Sequence, residues 1–160
     1  MTKKEKLLTN KPLFYLLSFT WGILTTLIGL LALLAVITFT NKKQKIVKVV
    51  AGRIVVCLPH ANFGGISMGI VLIVSEFYPP LVKHELGHTI QNMLFGPLFI
   101  FIVGIPSGIR YHFFDQLSRR HYRKYGTNLL YDAAWFEGQA TSLGNKYFKD
   151  SELQKLTTFQ

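Results

Sequence analysis

Cysteine is almost missing from the sequence: Cys57 is the only one, so no disulfide can form within the chain. This excludes a small disulfide-stapled scaffold and gives no sign of an oxidising compartment. The chain is also short compared with the size of a usual domain, which is on the order of 100 residues or more. The 160 residues therefore leave room for one compact domain and a membrane segment, and exclude a second large domain.

Acidic residues are scarce, since 8 Asp and Glu stand against 18 Lys and Arg, for a formal net charge of +10. The hydrophobic fraction is nevertheless 49%, which indicates that basic and apolar residues are segregated along the chain. The segment Pro12–Thr40 contains no charged residue at all. At about 1.5 Å per residue, a helix of this length exceeds the roughly 30 Å of a bilayer core. We therefore predict one uncleaved transmembrane helix within Pro12–Thr40.

A cleaved signal peptide is the alternative for this segment, because the chain begins with the basic residues Lys3, Lys4 and Lys6. The apolar core of a signal peptide spans about 7 to 15 residues and ends at a small-residue cleavage site, which this longer segment does not match. Both ends of the predicted helix are basic, so the positive-inside rule does not orient it. The basic domain and its single cysteine favour the cytoplasmic side of a bacterial cytoplasmic membrane, with a single pass.

The segment after the predicted anchor reads first as strands and then as helices, which is typical of an α+β domain. Ile46–Cys57 is rich in β-branched residues and is interrupted by Gly52, which predicts one or two short strands around a turn. Ile66–Ser75 is a continuous apolar run of strand length and predicts a strand that is buried on both faces or lies against the membrane. Helices are predicted at Pro80–Phe95, at Pro106–Tyr125 with Gly126 as its stop, and from an Asn128 cap to Phe148.

A second segment without charge runs from Thr89 to Ile109. Its polar and helix-breaking residues argue against a full membrane span; they are Gln91, Asn92, Gly96, Pro97, Gly104 and Pro106. We predict a buried core helix or a shallow re-entrant segment here.

One pentapeptide in the predicted Pro80–Phe95 helix has the spacing of a metal site, because His84-Glu85-Leu86-Gly87-His88 reads H-E-x-x-H. Residues i and i+4 share one face of a helix, so the two imidazoles can bind one ion. Zinc suits imidazole nitrogens, keeps a position open for water and lowers the pKa of that water to about 7. Glu85 can accept the water's proton and pass it to the leaving amine. The motif therefore predicts a Zn2+ cofactor and a hydrolytic role.

A catalytic zinc site needs a third protein ligand, and the downstream carboxylates are the candidates. They are Asp115, Asp132, Glu137, Asp150 and Glu152. Glu137 is favoured because it lies inside the predicted last helix, where the small Ala140 on the next turn would let that helix pack closely against the H-E-x-x-H helix. We therefore predict His84, His88 and Glu137 as metal ligands and Glu85 as the catalytic general base.

The chain resembles the gluzincin clan of zinc peptidases, in which a Glu of an E-x-x-A-like motif on a second helix completes the site. The matching residues are His84, Glu85, His88, Glu137 and Ala140. The clan usually has Asp after that Ala, whereas this chain has Thr141, so the support of the histidines differs. The resemblance implies that Gly65–Ile73 binds an extended substrate as an added strand, although a plain core strand is the alternative.

A broader set of short motifs is similar to small uncharacterised bacterial membrane proteins; it comprises GGIS, HELGHTIQ, GPL, GIPS and WFEGQA, between Gly64 and Gly144. The predicted organisation is a tail and transmembrane anchor at 1–44, a zincin-like metallopeptidase domain at 45–148 and a polar tail at 149–160. The predicted function is a membrane-anchored zinc peptidase that hydrolyses peptide bonds by zinc-activated water.

Two other classes of protein stay open. An intramembrane zinc protease of the site-2 type also has HELGH with a nearby FG, but that family takes its third ligand from an Asp in a later membrane helix. A non-catalytic membrane protein could retain the metal for structure or partner binding, but such a site has no need of Glu85 between the ligands.

The predicted Pro106–Tyr125 helix is strongly basic and aromatic. Beside a membrane anchor, anionic headgroups suit it better than nucleic acid, at about 1 kcal/mol per basic residue; a solvated face is the alternative. The expected partners are the lipid bilayer and a peptide or protein substrate, and no nucleic acid. The polar groups that could stabilise an oxyanion are His60, His112, His121, Tyr111 and Tyr131, and the sequence does not choose among them.

Overall fold

The computed structural model describes residues 10–41, 45–58, 63–75, 78–149, 151 and 153, and it has the predicted α+β class. The helices are α1 Lys11–Phe19, α2 Ile23–Phe39, α3 Pro79–Phe95, α4 Ile105–Tyr125 and α5 Trp135–Tyr147. The strands are β1 Ile46–Val50, β2 Arg53–Cys57, β3 Gly65–Met68 and β4 Val71–Val74.

The four strands form one mixed sheet in the order β1-β2-β4-β3, with β2 and β4 parallel and the two outer pairs antiparallel. The predicted break at Gly52 is confirmed, because the chain turns between β1 and β2 at this residue with a φ of 81°. The single strand predicted for Ile66–Ser75 is wrong. Gly69 has a φ of 61°, which glycine adopts readily, and the chain reverses there to form two strands.

Both faces of the central strands β2 and β4 are covered by helices. On one face, Val55, Leu72 and Val74 pack with apolar residues of α3 that include Leu86 and Ile90. On the other face, apolar residues of the sheet pack with α1 and α2; they are Val56, Val71 and Ile73 on the strands and Phe14, Leu17, Leu30, Leu33 and Val36 on the helices. The N-terminal segment therefore covers the sheet on the side opposite α3.

The predicted single helix over Pro12–Thr40 is replaced by α1 and α2, which meet at 93°. Within the described residues, no single helix is long and apolar enough to cross a membrane, although α1 and α2 together meet the criteria of length and composition. The corner is fixed against α3. Gly22 lies so close to Asn92 that a Cβ there would meet the amide nitrogen, and the Thr25 hydroxyl donates to Asn92 Oδ1 at 2.6 Å.

The predicted helix at Pro80–Phe95 is confirmed as α3, in which every residue from Glu85 to Met93 is buried. Beyond it, a short 3-10 turn at Gly96–Leu98 and a π-helical turn at Ile100–Gly104 carry the chain through a bend of 118° into α4. Gly126 ends α4 in the left-handed conformation, as predicted. The last helix begins at Trp135 rather than near Asn128, because Tyr131–Ala133 forms a separate 3-10 turn.

Candidate metal centre

Helix α3 places the two histidines of the motif on one face, as their spacing predicts. The rings of His84 and His88 lie edge to face with centroids 4.8 Å apart, and their Nε2 atoms are 3.2 Å apart. His88 is buried and His84 is partly exposed. The two imidazoles therefore present adjacent nitrogen atoms to one point beside the helix.

Helix α5 brings the third predicted ligand to that point. Oε2 of Glu137 lies 3.0 Å from Nε2 of His84 and 3.4 Å from Nε2 of His88. Ligand atoms at about 2.0–2.1 Å from a tetrahedral ion are roughly 3.3 Å from one another. The three atoms have this separation, so His84, His88 and Glu137 could bind a metal ion.

Small residues allow α5 to approach α3 closely enough for this geometry. A Cβ on Gly87 would overlap the carbonyl of Ala140, and a Cβ on Gly144 would overlap the carbonyl of Lys83. The predicted role of Ala140 in close packing is therefore confirmed, and two glycines share it. With the two backbones in contact, the short Glu137 side chain reaches the histidines of the facing helix.

The buried position of the Glu137 carboxylate favours a bound cation. It is fully buried, and among the described residues neither of its oxygens receives a hydrogen bond of regular geometry. A buried charge left without compensation is costly. Burial alone would raise the pKa of Glu137, but the contacts with His84 and His88 outweigh burial and hold this pKa well below its usual range. Glu137 therefore stays ionised, which is the form that binds metals.

The negative charges of Glu85 and Glu137 also act on His88. Burial alone would lower the pKa of its imidazole, but the contact with Glu137 and the negative charges of Glu85 and Glu137 outweigh burial and raise the pKa. The same negative charges would stabilise a bound cation. The donor set of two imidazole nitrogens and one carboxylate oxygen therefore fits a metal ion in both charge and spacing.

The second nitrogen of each histidine is held by a neutral side chain. Nδ1 of His84 lies 2.8 Å from the Thr141 hydroxyl, and Nδ1 of His88 lies 2.7 Å from Oε1 of Gln91. The Gln91 amide in turn donates to the Phe136 carbonyl and to Oε1 of Gln139, both on α5. Such partners fix the ring orientation of metal-binding histidines. Thr141 thus contacts His84 from the position where the resembling peptidases have Asp.

Glu85 is separate from the three ligand atoms and is held by the sheet. The Ser67 hydroxyl on β3 lies 2.8 Å from Oε2 of Glu85 and 2.7 Å from its backbone carbonyl. Gly65 lies so close to this carboxylate that a Cβ there would overlap it. Glu85 is 4% exposed and borders the same cavity as the three ligands. Glu85 therefore borders the cavity of the ligand group without being a member of that group.

A cavity of about 1270 Å³ contains the ligand group. Its walls include β3, the bend after α3, the first half of α4 and the Tyr131–Ala133 turn. Tyr131 lies near His84, with ring centroids 6.5 Å apart. Burial raises the pKa of Tyr131 to about 12, and the charge of Glu137 adds to this rise. The phenol therefore stays protonated at neutral pH and can donate a hydrogen bond into the cavity.

The other residues predicted for the site divide into three groups. Tyr111, His112, Asp115 and Asp132 line the cavity but do not join the ligand group. His121 instead contacts the Thr127 carbonyl at 2.9 Å. The predicted candidates His60, Asp150 and Glu152 lie outside the described residues.

Sequence reasoning missed two functional side chains, Ser67 and Gln91. Gln91 follows His88 by three residues in HELGHTIQ, and this spacing on a helix could have identified it. No local signal marks Ser67, because its contact with Glu85 depends on how the sheet packs against α3.

Comparisons with models of protein families, with curated proteins and with solved structures found no match for this chain. The functional argument therefore depends on the chemistry and geometry of the site.

Proposed function

We propose that this protein is a membrane-anchored zinc peptidase of the gluzincin type, in which His84, His88 and Glu137 hold Zn2+ and Glu85 is the general base. The observation that carries the proposal is the convergence of three ligand atoms beside a fourth, separately held carboxylate in one large cavity. A site that only stabilises the fold needs the ligands but not the adjacent base. An enzyme is therefore proposed rather than a protein that uses the metal only for structure.

Each side chain has a separate task in the proposed reaction. Zinc, when bound, supplies Lewis acidity and lowers the pKa of a water molecule to about 7. Glu85 would accept a proton from the attacking water and pass it to the leaving amine, and Ser67 contacts the Glu85 carboxylate and orients it. Tyr131 is the favoured donor to the developing oxyanion, because its phenol is protonated and lies next to His84.

The substrate proposed for this site is an extended peptide. β3 is an edge strand of the sheet, and all of its residues line the cavity. A peptide can add to such an edge through main-chain hydrogen bonds. Gly65 at the start of β3 lies against the Glu85 carboxylate, so a peptide along this strand would run past the base.

Membrane attachment is the second half of the proposal. The outward side of α2 is apolar, with Leu31 and Leu34 at 66% and 60% exposure. The helix is 17 residues long, so it and α1 act together in anchoring the chain, as a bent segment within Pro12–Thr40.

The Asp-ligated alternative is less well supported. Asp115 and Asp132 are the carboxylates that a site-2-type protease would use, and both lie outside the ligand group. Glu137 occupies the third position at 3.0 Å from His84. The geometry therefore favours the gluzincin ligand set.

The decisive experiment measures zinc by elemental analysis in the purified protein and in single variants. We expect about one zinc per chain in the wild type and its loss in His84→Ala, His88→Ala and Glu137→Ala, because three protein ligands are the minimum for such a site. Asp132→Ala is the matched control and should keep its zinc. Zinc retained by Glu137→Ala but lost from Asp132→Ala would replace the gluzincin assignment with an Asp-ligated site, and a wild-type protein without zinc would end the enzyme proposal.

A further inference from the structure

The two uncharged segments of the sequence lie side by side in the fold. A Cβ on Gly96 would overlap the Trp21 ring, so the corner between α1 and α2 rests on the bend after α3. The outward residues of both segments are apolar and exposed. We call them the apolar belt; they are Leu24, Leu27, Leu31 and Leu34 of α2, Leu94 of α3, and Leu98, Phe101, Ile105 and Ile109 of the bend and α4.

The metal-site cavity opens on this belt. Ile28 of α2 and Ile105 at the start of α4 both line the cavity, yet they are 39% and 47% exposed. Ile66 of β3 and Tyr111 of α4 also line it and are 45% and 53% exposed. Exposed apolar side chains therefore form the part of the cavity wall that α2 and the start of α4 contribute, here called the rim, while the exposed polar residues of the wall include His112, Asp115 and Asp132. An apolar opening beside the belt suits an apolar substrate better than a water-soluble one.

Basic residues follow the belt along the chain in both segments. The second half of α4 carries Arg119, Arg120, Arg123 and Lys124, all exposed. At the C-terminal end of α2, Lys45 donates to the carbonyls of Val36, Ile37 and Thr40. An apolar surface followed along the chain by cations complements a bilayer, whose acyl chains are apolar and whose anionic headgroups attract basic side chains.

We propose that the metal-site cavity opens laterally into the bilayer and takes a hydrophobic peptide segment that is itself held in the membrane. The substrate class follows from the rim, because a segment dissolved in lipid can reach Ile28 and Ile105 without crossing the headgroups. This inference rests on the proposed peptidase function for its chemistry. The lateral opening rests only on the exposed apolar rim and on the contact between the two uncharged segments.

Spin labels can report what the rim touches. In a Cys57→Ala background, single cysteines at Ile28 and Ile105 are labelled in protein reconstituted into vesicles of phosphatidylglycerol and phosphatidylethanolamine, with Asn145→Cys on the exposed side of α5 as the matched control. Oxygen collects in acyl chains and a nickel chelate stays in water. We expect oxygen to relax the labels at the Ile28 and Ile105 positions more strongly than the nickel chelate does. At the Asn145 position, we expect the nickel chelate to have the stronger effect.

Two outcomes would overturn the lateral opening. Labels at 28 and 105 that respond mainly to nickel would place the mouth in water. Labels that neither reagent reaches would indicate that the rim is covered by protein, from this chain or from a second copy of it. Zinc content is measured on the same samples, so a protein without zinc whose rim labels lie in lipid would refute the peptidase proposal while the lateral opening stands.

The substrate class is tested with the Glu85→Gln variant in the same vesicles. The probe is a leucine–alanine peptide of about 20 residues, long enough to span, with a photoreactive leucine at its centre and lysines at its ends. We expect it to cross-link to rim residues such as Ile28 roughly tenfold more than a matched peptide with serine in place of leucine, a difference that corresponds to a tenfold ratio of affinities. Equal labelling by both peptides, or labelling only by the serine peptide, would refute a membrane-held substrate.

Discussion

Helices α4 and α5 both border the cavity, yet they are packed in opposite ways. α5 has 13 residues and buries Glu137, Ala140 and Gly144 against α3. α4 has 21 residues, all of them described, and none is buried although many are aromatic. The shorter and less charged helix is thus the one that is packed into the fold. Small residues at its contact with α3 allow this close packing.

The difference determines where the chemistry lies. Small residues let the backbones of α3 and α5 touch, so a carboxylate on α5 meets two imidazoles on α3 in a site closed to water on that side. α4 also borders the cavity, but none of its residues is buried. The ligand group therefore lies between two closely packed helices, and the cavity beside it is lined in part by a helix that stays exposed.

The largest effect is expected from breaking the close contact of α3 with α5. Gly87→Val places a branched side chain where the Ala140 carbonyl lies. Overpacking of this kind costs about 3 kcal/mol or more when the clash is with backbone, and separation of the helices should also release zinc. The free energy of unfolding in detergent and the zinc content of the same sample measure both effects.

Gly108→Ala on α4 is the matched control for Gly87→Val. Among the described residues, no atom outside the adjacent backbone of the helix lies within 4 Å of a Cβ at this position, and alanine favours a helix over glycine by roughly 0.5–1 kcal/mol. We expect unchanged zinc and slightly higher stability. A Gly87→Val variant as stable as Gly108→Ala would contradict the proposed role of close packing.

The next effect separates the base from the ligands. Glu85→Gln keeps the shape of the side chain and leaves the three ligands in place, but it removes the proton acceptor. Peptide hydrolysis should fall by roughly 100-fold or more while zinc stays bound. Cleavage is followed by mass spectrometry on the samples used for elemental analysis. Unchanged hydrolysis in this variant would show that Glu85 is not the base.

A smaller effect is expected where α5 supports His84 from behind. Thr141→Ala removes the partner of Nδ1, and the loss of such a partner typically weakens metal binding by roughly 10-fold or more. Competition with a zinc chelator measures the affinity. Thr141→Ser, which keeps the hydroxyl, should restore it, and Ser142→Ala on the exposed side of α5 should leave it unchanged. Equal affinities in Thr141→Ala and Thr141→Ser would mean that the hydroxyl does not orient His84.

The smallest effect is expected on α4 itself. Tyr122 is 58% exposed, so Tyr122→Ala should change the free energy of unfolding by less than about 0.5 kcal/mol. Leu86→Ala on α3, which empties a fully buried position, should cost about 2–5 kcal/mol under the same conditions. Similar losses in both variants would show that α4 is packed more tightly than its exposure indicates.

The sequence predicted the elements whose signals are local. The H-E-x-x-H spacing and the prolines at Pro79 and Pro80 located α3, and Gly126 marked the end of α4. Glu137 was favoured among five carboxylates because the small Ala140 follows it by one turn of a helix. Chemistry that depends on residue type and on spacing along one helix can be read without a structure.

Local signals were insufficient wherever a contact joins distant parts of the chain. The uncharged segment after Pro12 was predicted as one helix, because nothing in it shows that Gly22 must turn against Asn92. Ile66–Ser75 was predicted as one strand, because the sequence does not show that Gly69, within an apolar run, has a positive φ.

By itself, the sequence determined the α+β class, the two histidines with Glu85 between them and the identity of the third candidate ligand. Only the tertiary structure decided that Glu137 lies 3.0 Å from His84, that Thr141 and Gln91 orient the histidines, and that Ser67 holds Glu85. The spacing of residues along one helix is set by backbone geometry, which is the same for every sequence. The distance between two helices is set by the side chains that meet there, and those come from separate parts of the chain.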